Sequence, residues 1–440
     1  FKPQATELRG ISMGQLCSTD ERDIVISPEY DFAVHPATQW RWHHKALSQK
    51  AVHSAPVDSL ESYATGWERF KSNFDCDILG PSNRLARRLV QRARWIAHGL
   101  ANEKPDVLHS EWEGPGGKDP LNALFDEMDD VLLAAEILEL VDALRGVVQE
   151  QPVLVEADIP AKVYGDLHGQ FRDMLLLLHD FGFPHYHGQS FVFNGDWVDR
   201  GKHQLAVVCL VFAYKVAFPN NVMIVRGNHE DAGQNMHTGD RGFTAHCTKR
   251  FGPGVGMQIF RAFADVFEWL PLGCLVGARI LVVHGGIGDG EWDLEEIENA
   301  QRPLSMDLLS KNKVLYNVLW SDPIPETVEN SFGVHSSPRD SHANLVAAFG
   351  EDVTQKFLLR NDLSMVIRSH QEQMGGTGYE VMHGGKCIRV FSARDYEGNQ
   401  NDGCVLSIRW RLRGGRFIVR PQVLRSVTKR DTSSDESDGG

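Results

Sequence analysis

Polar side chains follow directly after short apolar runs at five places in the middle of the chain. The runs are AKVYGDLHGQ (161–170), FVFNGDWVDRG (191–201), NVMIVRGNHE (221–230), ILVVHGGIG (280–288) and LSMVIRSHQ (363–371). Their polar ends supply oxygen and nitrogen ligands from Asp166, His168, Asp196, Asn228, His284 and His370. Such a set suits a pair of Mn, Fe or Zn ions better than Ca, and the absence of thiolates argues against a structural zinc site.

A pair of ions at these residues would create a hydrolytic centre. Two ions about 3.5 to 4 Å apart can bind a phosphate group and lower the pKa of an attacking water, so that hydroxide is available near neutral pH. Asp196 is expected to bridge the two ions. A single histidine on an apolar strand is usually a core residue, but five similar strand ends favour one shared site.

The elements that carry these side chains are predicted to be buried strands. Each run is short, rich in β-branched residues and bounded by Gly, Asp or Asn. Helix-like segments separate the first three runs, at 171–182 and 203–218. This alternation predicts an α/β fold with βαβ crossovers and parallel strands. Sites in such folds form outside the carboxyl ends of the strands, so the polar side chains should converge.

Composition restricts the class of protein. The chain has 440 residues, of which 42% are hydrophobic and 24% charged, as in an ordinary globular protein. A formal charge of -14 argues against a general nucleic-acid binder, which needs a basic surface. Seven scattered cysteines, an odd number, fit reduced thiols in the cytosol better than a disulfide framework. No apolar run reaches the roughly 18 residues that a bilayer-spanning helix needs.

The order and spacing of the polar motifs resemble those of a known catalytic domain. The metallo-dependent phosphoprotein phosphatase (PPP) family of serine/threonine phosphatases has motifs similar to GDLHG, GDWVDRG, RGNHE, HGG and RSHQ, and the resemblance covers roughly residues 121–425. The stretches VFNGD, GNHED and WLPLGCLVGARILVVHGGI are most similar to the EF-hand-type (rdgC, PPEF) and protein phosphatase 5 branch. The resemblance implies a four-layer metallophosphoesterase fold, with a central β-sandwich flanked by helices and a dimetal site at strand carboxyl ends.

The resemblance also implies a role for each site residue. The first metal ion would be held by Asp166, His168 and Asp196, and the second by Asp196, Asn228, His284 and His370. His229, oriented by Asp199, would protonate the leaving serine or threonine oxygen. Arg200 would bind the phosphate with its planar guanidinium. The implied reaction is hydrolysis of phosphoserine or phosphothreonine by direct attack of a dimetal-bound water or hydroxide.

One departure from the family pattern concerns a second phosphate-binding arginine. The family places this arginine a short, fixed distance before a Phe-Gly pair, whereas Arg339 lies ten residues before Phe349. Either Arg339 reaches the phosphate from a longer loop, or Arg200 binds it alone.

A second departure lies in FSARDYEGNQND (391–402). Tyr396 is retained there as a phosphate-site residue, but Arg394 and Glu397 are unusual for the family. A shift in substrate or inhibitor preference is therefore expected.

The first 120 residues lie outside the resemblance and are expected to form an N-terminal extension. Within it, MGQLCST (13–19) fits the acylation pattern M-G-x-x-x-[ST]. If Met13 is the initiator, Gly14 would be myristoylated and Cys17 palmitoylated, because two acyl chains anchor a protein stably where one does not. The expected location is then the cytosolic face of a membrane. The alternative is a chance match at an internal methionine, which leaves the protein in the cytoplasm without an anchor.

The segment NRLARRLVQRARWIAHG (83–99) is a basic amphipathic stretch with five arginines. It could bind a regulatory subunit, a calmodulin-like partner or anionic lipid. The favoured alternative is a helix that docks on the acidic catalytic domain.

The chain lacks a D-x-[DN]-x-[DN]-G loop, so direct calcium control is not expected. The acidic tail at 426–440 has no apolar periodicity and is predicted to be disordered.

Three functions compatible with these motifs differ in chemistry. The first is an active phosphatase acting on phosphoproteins, and the second is a phosphoprotein-binding adaptor that retains the metal site without turnover. The third is a metallophosphoesterase acting on dinucleotides or nucleic acid, which shares the early motifs but not the full RSHQ and FSARDYEGNQND segments. Retention of His229, Asp199 and Arg200 favours the first, because an adaptor has no need of a proton donor.

Overall fold

A computed structural model of the chain describes residues 24–26, 31–33, 83–100, 107–185, 188–339, 345–411 and 416–429. The predicted acylation sites, Gly14 and Cys17, lie outside these ranges, as do residues 430–440 of the predicted tail. The prediction of disorder is wrong for residues 426–429, because Ser426 and Val427 form hydrogen bonds with Asp395.

The strands and helices of the described residues follow the predicted alternation. The strands are β1 (Ile24–Ile26), β2 (Asp31–Ala33), β3 (Leu154–Ala157), β4 (Ala161–Tyr164), β5 (Ser190–Phe193), β6 (Val222–Ile224), β7 (Gly273–Val276), β8 (Ile280–Val283), β9 (Asp322–Pro323), β10 (Val334–Ser336), β11 (Ala347–Phe349), β12 (Met365–Arg368), β13 (Tyr379–Met382), β14 (Cys387–Val390), β15 (Gly403–Arg411) and β16 (Arg416–Leu424). The α-helices are α1 (Arg84–Gly99), α2 (Pro120–Leu124), α3 (Asp130–Gln149), α4 (Phe171–Phe181), α5 (Gln204–Ala217), α6 (Ala232–His237), α7 (Phe243–Phe267), α8 (Glu295–Glu298), α9 (Met306–Lys311), α10 (Lys313–Trp320) and α11 (Glu351–Arg360).

Two large sheets carry the five polar motifs. The first sheet has the order β1-β16-β15-β4-β5-β6, with β2 also paired to β16. Strands β4, β5 and β6 are parallel, and α4 and α5 connect them, which confirms the predicted βαβ crossovers. The second sheet has the order β13-β14-β12-β8-β7-β3, in which β8 and β12 are parallel neighbours. A small third sheet contains β10, β11 and β9.

The two large sheets pack face to face, because alternate residues on each strand point to opposite sides. Val192 of β5 and Val282 of β8 lie in the core between the sheets. Their neighbours Phe191 and Phe193 pack under helices on the outer side of the first sheet, and Leu281 packs under helices outside the second. The result is the helix, sheet, sheet, helix arrangement that the family resemblance implies.

Helix α1 belongs to the same hydrophobic core as the segment with the polar motifs. The side chain of Asn83 caps its first turn by accepting from the amide of Ala86. Two of its five arginines are buried: Arg92 donates to a backbone carbonyl of α2 at 2.9 Å, and Arg94 donates to the carbonyl of Pro184 at 2.5 Å. Its buried apolar face, which shares a core with α4 and α5, includes Leu85, Leu89, Ala93 and Ile96.

This packing changes two expectations about the N-terminal region. The boundary predicted at residue 120 does not separate α1 from the catalytic segment, because one core contains both. The apolar face that a calmodulin-like partner, a regulatory subunit or lipid would bind at 83–99 is already covered. The docked-helix interpretation is the one that the structure supports.

Two further observations concern thiols and membranes. The cysteines within the described ranges (Cys209, Cys247, Cys274, Cys387 and Cys404) are buried and free, in agreement with the predicted reduced thiols. Among the helices that the structure describes, none combines the length and the apolar character that crossing a bilayer requires.

Candidate dimetal and phosphate site

The ends of five strands from both sheets meet at one edge of the sandwich. Hydrogen bonds tie the two sheets together there. The His370 amide, after β12, donates to Asp166 Oδ1 at 3.0 Å, and His284 Nδ1, after β8, donates to the Asn194 carbonyl at 2.8 Å. The predicted convergence is therefore observed, but it combines strands of two sheets rather than one.

Several site residues have strained backbones. The φ angles of His168, Asp196, Asp199, Arg200 and His370 lie between 39° and 71°. Left-handed backbone costs about 1 to 3 kcal/mol per non-glycine residue and persists only where surrounding contacts impose it. Such strain is common at functional sites.

Glu230 supplies one of those contacts, and the sequence analysis did not identify it. Its buried carboxylate accepts the amides of Asp196 at 2.6 Å, Trp197 at 2.8 Å and Gly227 at 2.9 Å. It therefore fixes the turn after β5 against the turn after β6. Only its place in GNHE, next to His229, could have indicated this role.

The first ligand cluster is built around His168. Its Nε2 lies 3.5 Å from Asp196 Oδ2 and 3.9 Å from Asp166 Oδ2. Its Nδ1 lies 2.8 Å from the Val198 carbonyl, which can only accept, so Nδ1 carries the proton and Nε2 offers a lone pair. Burial lowers the pKa of His168 to about 4, which keeps the ring neutral and able to bind a metal.

The second cluster is built around His284. Its Nε2 lies 2.9 Å from Asn228 Oδ1, 3.3 Å from Asp196 Oδ2 and 3.3 Å from His370 Nδ1. Asp196 thus belongs to both clusters, as expected for a bridging ligand. Groups of side chains that could together hold an ion are His168, Asp196 and His229 in one case and Asp196, His284 and His370 in the other.

The electrostatics of both clusters fit bound cations. Burial and the charge of Asp196 raise the pKa of Asp166 to about 7, so two adjacent carboxylates lack compensating positive charge. Burial disfavours a charged His284, yet the charge of Asp196 raises the pKa of His284 to about 9. Positive charge is therefore stabilised where these ligands meet. His370 Nε2 is buried without a hydrogen-bond partner.

His229 and Asp199 form a separate pair beside the clusters. His229 Nδ1 lies 2.6 Å from Asp199 Oδ2. Asp199 Oδ1 in turn accepts from the Asn235 amide group at 3.0 Å and the Phe243 amide at 2.7 Å, and Thr238 donates to Oδ2 at 3.1 Å. Burial alone would lower the pKa of His229, but the charges of Asp196 and Asp199 raise it above its usual value. The imidazolium is stabilised, and Nε2 is left to deliver a proton.

Arg200 and Tyr396 lie together at the mouth of the site. The Tyr396 ring stacks on His168 with the centroids 5.1 Å apart, and its hydroxyl lies near enough to Arg200 for the guanidinium charge to act on it. Burial, with the charge of Glu397, raises the pKa of Tyr396, so its hydroxyl stays protonated. Arg200 Nε is buried without a hydrogen-bond partner. This arginine thus retains donor capacity for an anion.

Arg339 reaches the same site despite its unusual distance from Phe349. Its Nε donates to Asp322 Oδ2 at 2.5 Å, and another guanidinium nitrogen lies 3.4 Å from the His370 carbonyl. Asp322, which the sequence analysis also missed, accepts from Arg368 at 2.7 Å as well. The longer segment therefore leaves Arg339 next to the second cluster.

The two unusual residues of the 391–402 segment have different positions. Arg394 is buried and donates to the buried Asp173 at 2.9 Å and to the Arg425 carbonyl at 2.9 Å. It supports the fold and does not face substrate, which removes it as a source of altered preference. Glu397, by contrast, forms an ion pair with Arg241 at the mouth.

Comparison with known proteins identifies relatives of this arrangement. The sequence profile of the Calcineurin-like phosphoesterase family matches residues 159–374. The serine/threonine-protein phosphatase BSL2 of Arabidopsis thaliana is 34% identical over 358 residues, which cover 80% of this chain and 32% of that protein. The chain thus spans about a third of the length of this relative.

A solved structure is also similar. It is a protein serine/threonine phosphatase from Saccharomyces cerevisiae with similarity to human phosphatase PP5. The sequences are 30% identical, the TM-score is 0.57, and the match covers 68% of this chain and 91% of the yeast chain. The family profile spans both ligand clusters, from Asp166 to His370, and ends before Tyr396.

Proposed function

We propose, from the premise that this chain belongs to the metallo-dependent phosphoprotein phosphatase (PPP) family, that it is a metal-dependent protein serine/threonine phosphatase. The observation that carries the proposal is the His229 to Asp199 pair, 2.6 Å apart and buried directly beside two clusters of metal-ligand type. A proton donor at that point can protonate the serine or threonine oxygen as it leaves the phosphorus. Binding of a phosphoprotein alone would not require it.

The ligand sets assigned from the family resemblance fit the observed geometry. Asp166, His168 and Asp196 would hold one ion, and Asp196, Asn228, His284 and His370 would hold the other. When bound, two such ions supply Lewis acidity that neutralises phosphate charge and makes hydroxide available near neutral pH. Mn, Fe and Zn all suit these ligands, and we expect Mn to support activity in vitro.

The remaining residues bind the substrate and move a proton. Arg200 presents a planar guanidinium to the phosphate oxygens, with Tyr396 beside it, and Arg339 lies beside His370. His229 gives its Nε2 proton to the serine or threonine oxygen as the bond to phosphorus breaks. Asp199 orients the His229 ring and stabilises its protonated form. Three other hydrogen bonds, from Asn235, Thr238 and Phe243, hold the Asp199 carboxylate in place.

The alternative functions predict different substrate behaviour. Purified full chain with Mn should release phosphate from a phosphothreonine peptide faster than it cleaves a dinucleotide, because a leaving alkoxide needs the proton of His229 and a leaving nucleotide phosphate does not. Phosphate release and nucleotide cleavage are measured in parallel. Faster dinucleotide cleavage would favour the broader phosphoesterase. Tight binding of the phosphopeptide without turnover would favour the adaptor.

We also propose that the protein is held at the cytosolic face of a membrane by myristate on Gly14 and palmitate on Cys17. The support is the MGQLCST sequence, which places a cysteine three residues after the acceptor glycine. Two chains together provide an anchor that a single myristoyl group does not. The proposal requires translation to begin at Met13.

Substitution Gly14→Ala in a chain that begins at Met13 should move most of the protein from the membrane fraction to the soluble fraction, because myristoylation requires the glycine. Ser18→Ala, at the less strictly required position of the motif, is the comparison variant. Cys17→Ser should move only part of the protein from the membrane fraction to the soluble fraction. Partitioning is measured by fractionation and immunoblotting. Unchanged partitioning of Gly14→Ala would contradict the lipid anchor.

A further inference from the structure

The loop that carries Tyr396 has an unfavourable backbone conformation. Asp395, Glu397 and Gln400 have left-handed φ angles of 48°, 49° and 55°. Such angles persist in non-glycine residues only where neighbouring contacts impose them. The contacts that hold this loop therefore control the position of Tyr396.

Three of these contacts come from Ser426, Val427 and Thr428, which follow β16 and which we call the C-terminal latch. The Ser426 and Thr428 hydroxyls both donate to Asp395 Oδ1, and the Val427 amide donates to Oδ2 at 2.9 Å. Asp395 is only 3% exposed. The donors of the latch thus stabilise the buried Asp395 carboxylate. Loss of one donor would leave that carboxylate without a full set of hydrogen bonds.

The latch is connected to the phosphate site because the residue that it binds is the chain neighbour of Tyr396. Asp395 directly precedes Tyr396, whose ring stacks on His168 and whose hydroxyl lies near the Arg200 guanidinium. The Tyr396 amide also donates to Asn401 Oδ1 at 2.8 Å within the loop. Release of Asp395 would loosen the wall of the phosphate site that Tyr396 forms.

Thr428 is the latch residue best suited to modification. It is half-buried, and Lys429, the next residue, is exposed. Arg425 lies three residues before it and is also exposed. A hydroxyl near the surface between basic residues fits a protein kinase that recognises basic sequences.

We propose that Thr428 is a regulatory phosphorylation site that opens the C-terminal latch. A basic-directed protein kinase would transfer the γ-phosphoryl group of ATP to Thr428 Oγ1, so that the bond from that phosphorus to ADP breaks, the new ester bond forms and the hydroxyl proton is released. Phosphorylated Thr428 can no longer donate a hydrogen bond to Asp395. It also places a charge of about -1.5 to -2 beside the Asp395 carboxylate. Like charges at this distance repel, and the loop separates from the latch. The catalytic consequence rests on the proposed phosphatase function.

Basic residues near the latch do not reverse this effect. Arg425 and Lys429 each lie 3.7 Å from Asp402, and Lys429 donates to the Gly375 carbonyl at 2.7 Å. The Gly375 amide in turn donates to the carbonyl of Asn399, in the Tyr396 loop, at 2.6 Å. A phosphate that attracted Lys429 would draw it from Gly375 and so remove a second support of the loop.

Hydrogen exchange of the full chain tests the latch directly. Thr428→Glu should speed amide exchange in residues 394–401 by about tenfold or more, whereas Thr428→Val, which removes only the hydroxyl, should have a smaller effect. Thr377→Glu adds the same charge at an exposed threonine nearby and should leave this segment unchanged. Unchanged exchange in Thr428→Glu would overturn the proposal.

Treatment with ATP and a basic-directed kinase tests the modification itself. We expect phosphate on Thr428 by mass spectrometry and a rise of about tenfold in KM for a phosphothreonine peptide, since Tyr396 lies beside the phosphate-binding Arg200 and packs on His168. Absence of phosphate on Thr428, or its presence with unaltered exchange and KM, would overturn the proposal. If the untreated protein has no activity, the phosphatase function fails, while the exchange measurement still decides the latch.

Discussion

Substitution Asp196→Asn should lower kcat for phosphopeptide hydrolysis by about 10³-fold or more and should reduce the bound metal content. Asp196 is the side chain common to both clusters, with Oδ2 at 3.5 Å from His168 Nε2 and 3.3 Å from His284 Nε2. Changes in outer-shell partners alone typically cost 10- to 100-fold, and loss of a ligand that serves two ions should cost more. Metal per chain is measured by elemental analysis and activity by phosphate release.

Asparagine is the matched replacement at this position. It has nearly the same shape, it tolerates the left-handed φ of 53°, and its amide oxygen can still accept the His229 amide that Asp196 Oδ1 accepts at 2.9 Å. Asp240→Asn removes a fully exposed carboxylate nearby and should change neither quantity. Full metal content together with full activity in Asp196→Asn would contradict the assigned bridging role.

Substitution His229→Asn should lower kcat by about 10²- to 10⁴-fold while leaving the metal content intact. The variant loses the group that protonates the leaving oxygen, whereas the ligands on either side of it remain. Asn228 keeps its oxygen 2.9 Å from His284 Nε2, and Asp196 keeps its place in both clusters. Steady-state kinetics and elemental analysis of the same sample separate the two effects.

His237→Asn, at an exposed histidine at the end of α6, is the comparison for this variant and should have activity close to the unsubstituted chain. Geometry also brings His229 within range of His168 and Asp196 as a third ligand. Loss of metal from His229→Asn would therefore assign His229 to the metal and contradict its role as a proton donor.

The strands and the meeting of their polar ends were predictable from sequence because they depend on local patterns. Short β-branched runs specify strands, and the alternation of Phe191, Val192 and Phe193 between two cores follows from the strand period of two. Parallel strands then bring residues such as Asp166 and Asp196 to one edge. The pairing of His229 with Asp199 was expected only from the family resemblance, since the residues are 30 positions apart.

The supporting contacts were not predictable, because each joins residues far apart in the chain. Glu230 acts on a turn 34 residues away, and Asp322 connects Arg339 with Arg368. Docking of helix α1 was the favoured expectation, but the burial of two of its arginines was not predictable, for the same reason. Arg94 is buried because it donates to the carbonyl of Pro184, 90 residues later. Arg394, which is unusual for the family, is buried because it pairs with Asp173, 221 residues away.

The assignment of a dimetal phosphatase is tested by phosphate release from a phosphothreonine peptide by the purified full chain, stripped of metal and then resupplied with Mn. The clusters around His168 and His284 are buried and could each hold an ion, so we expect negligible activity in the stripped protein and recovery after Mn is added. Turnover that persists in fully stripped protein, or no turnover when elemental analysis shows two ions bound per chain, would contradict the assignment of a dimetal phosphatase.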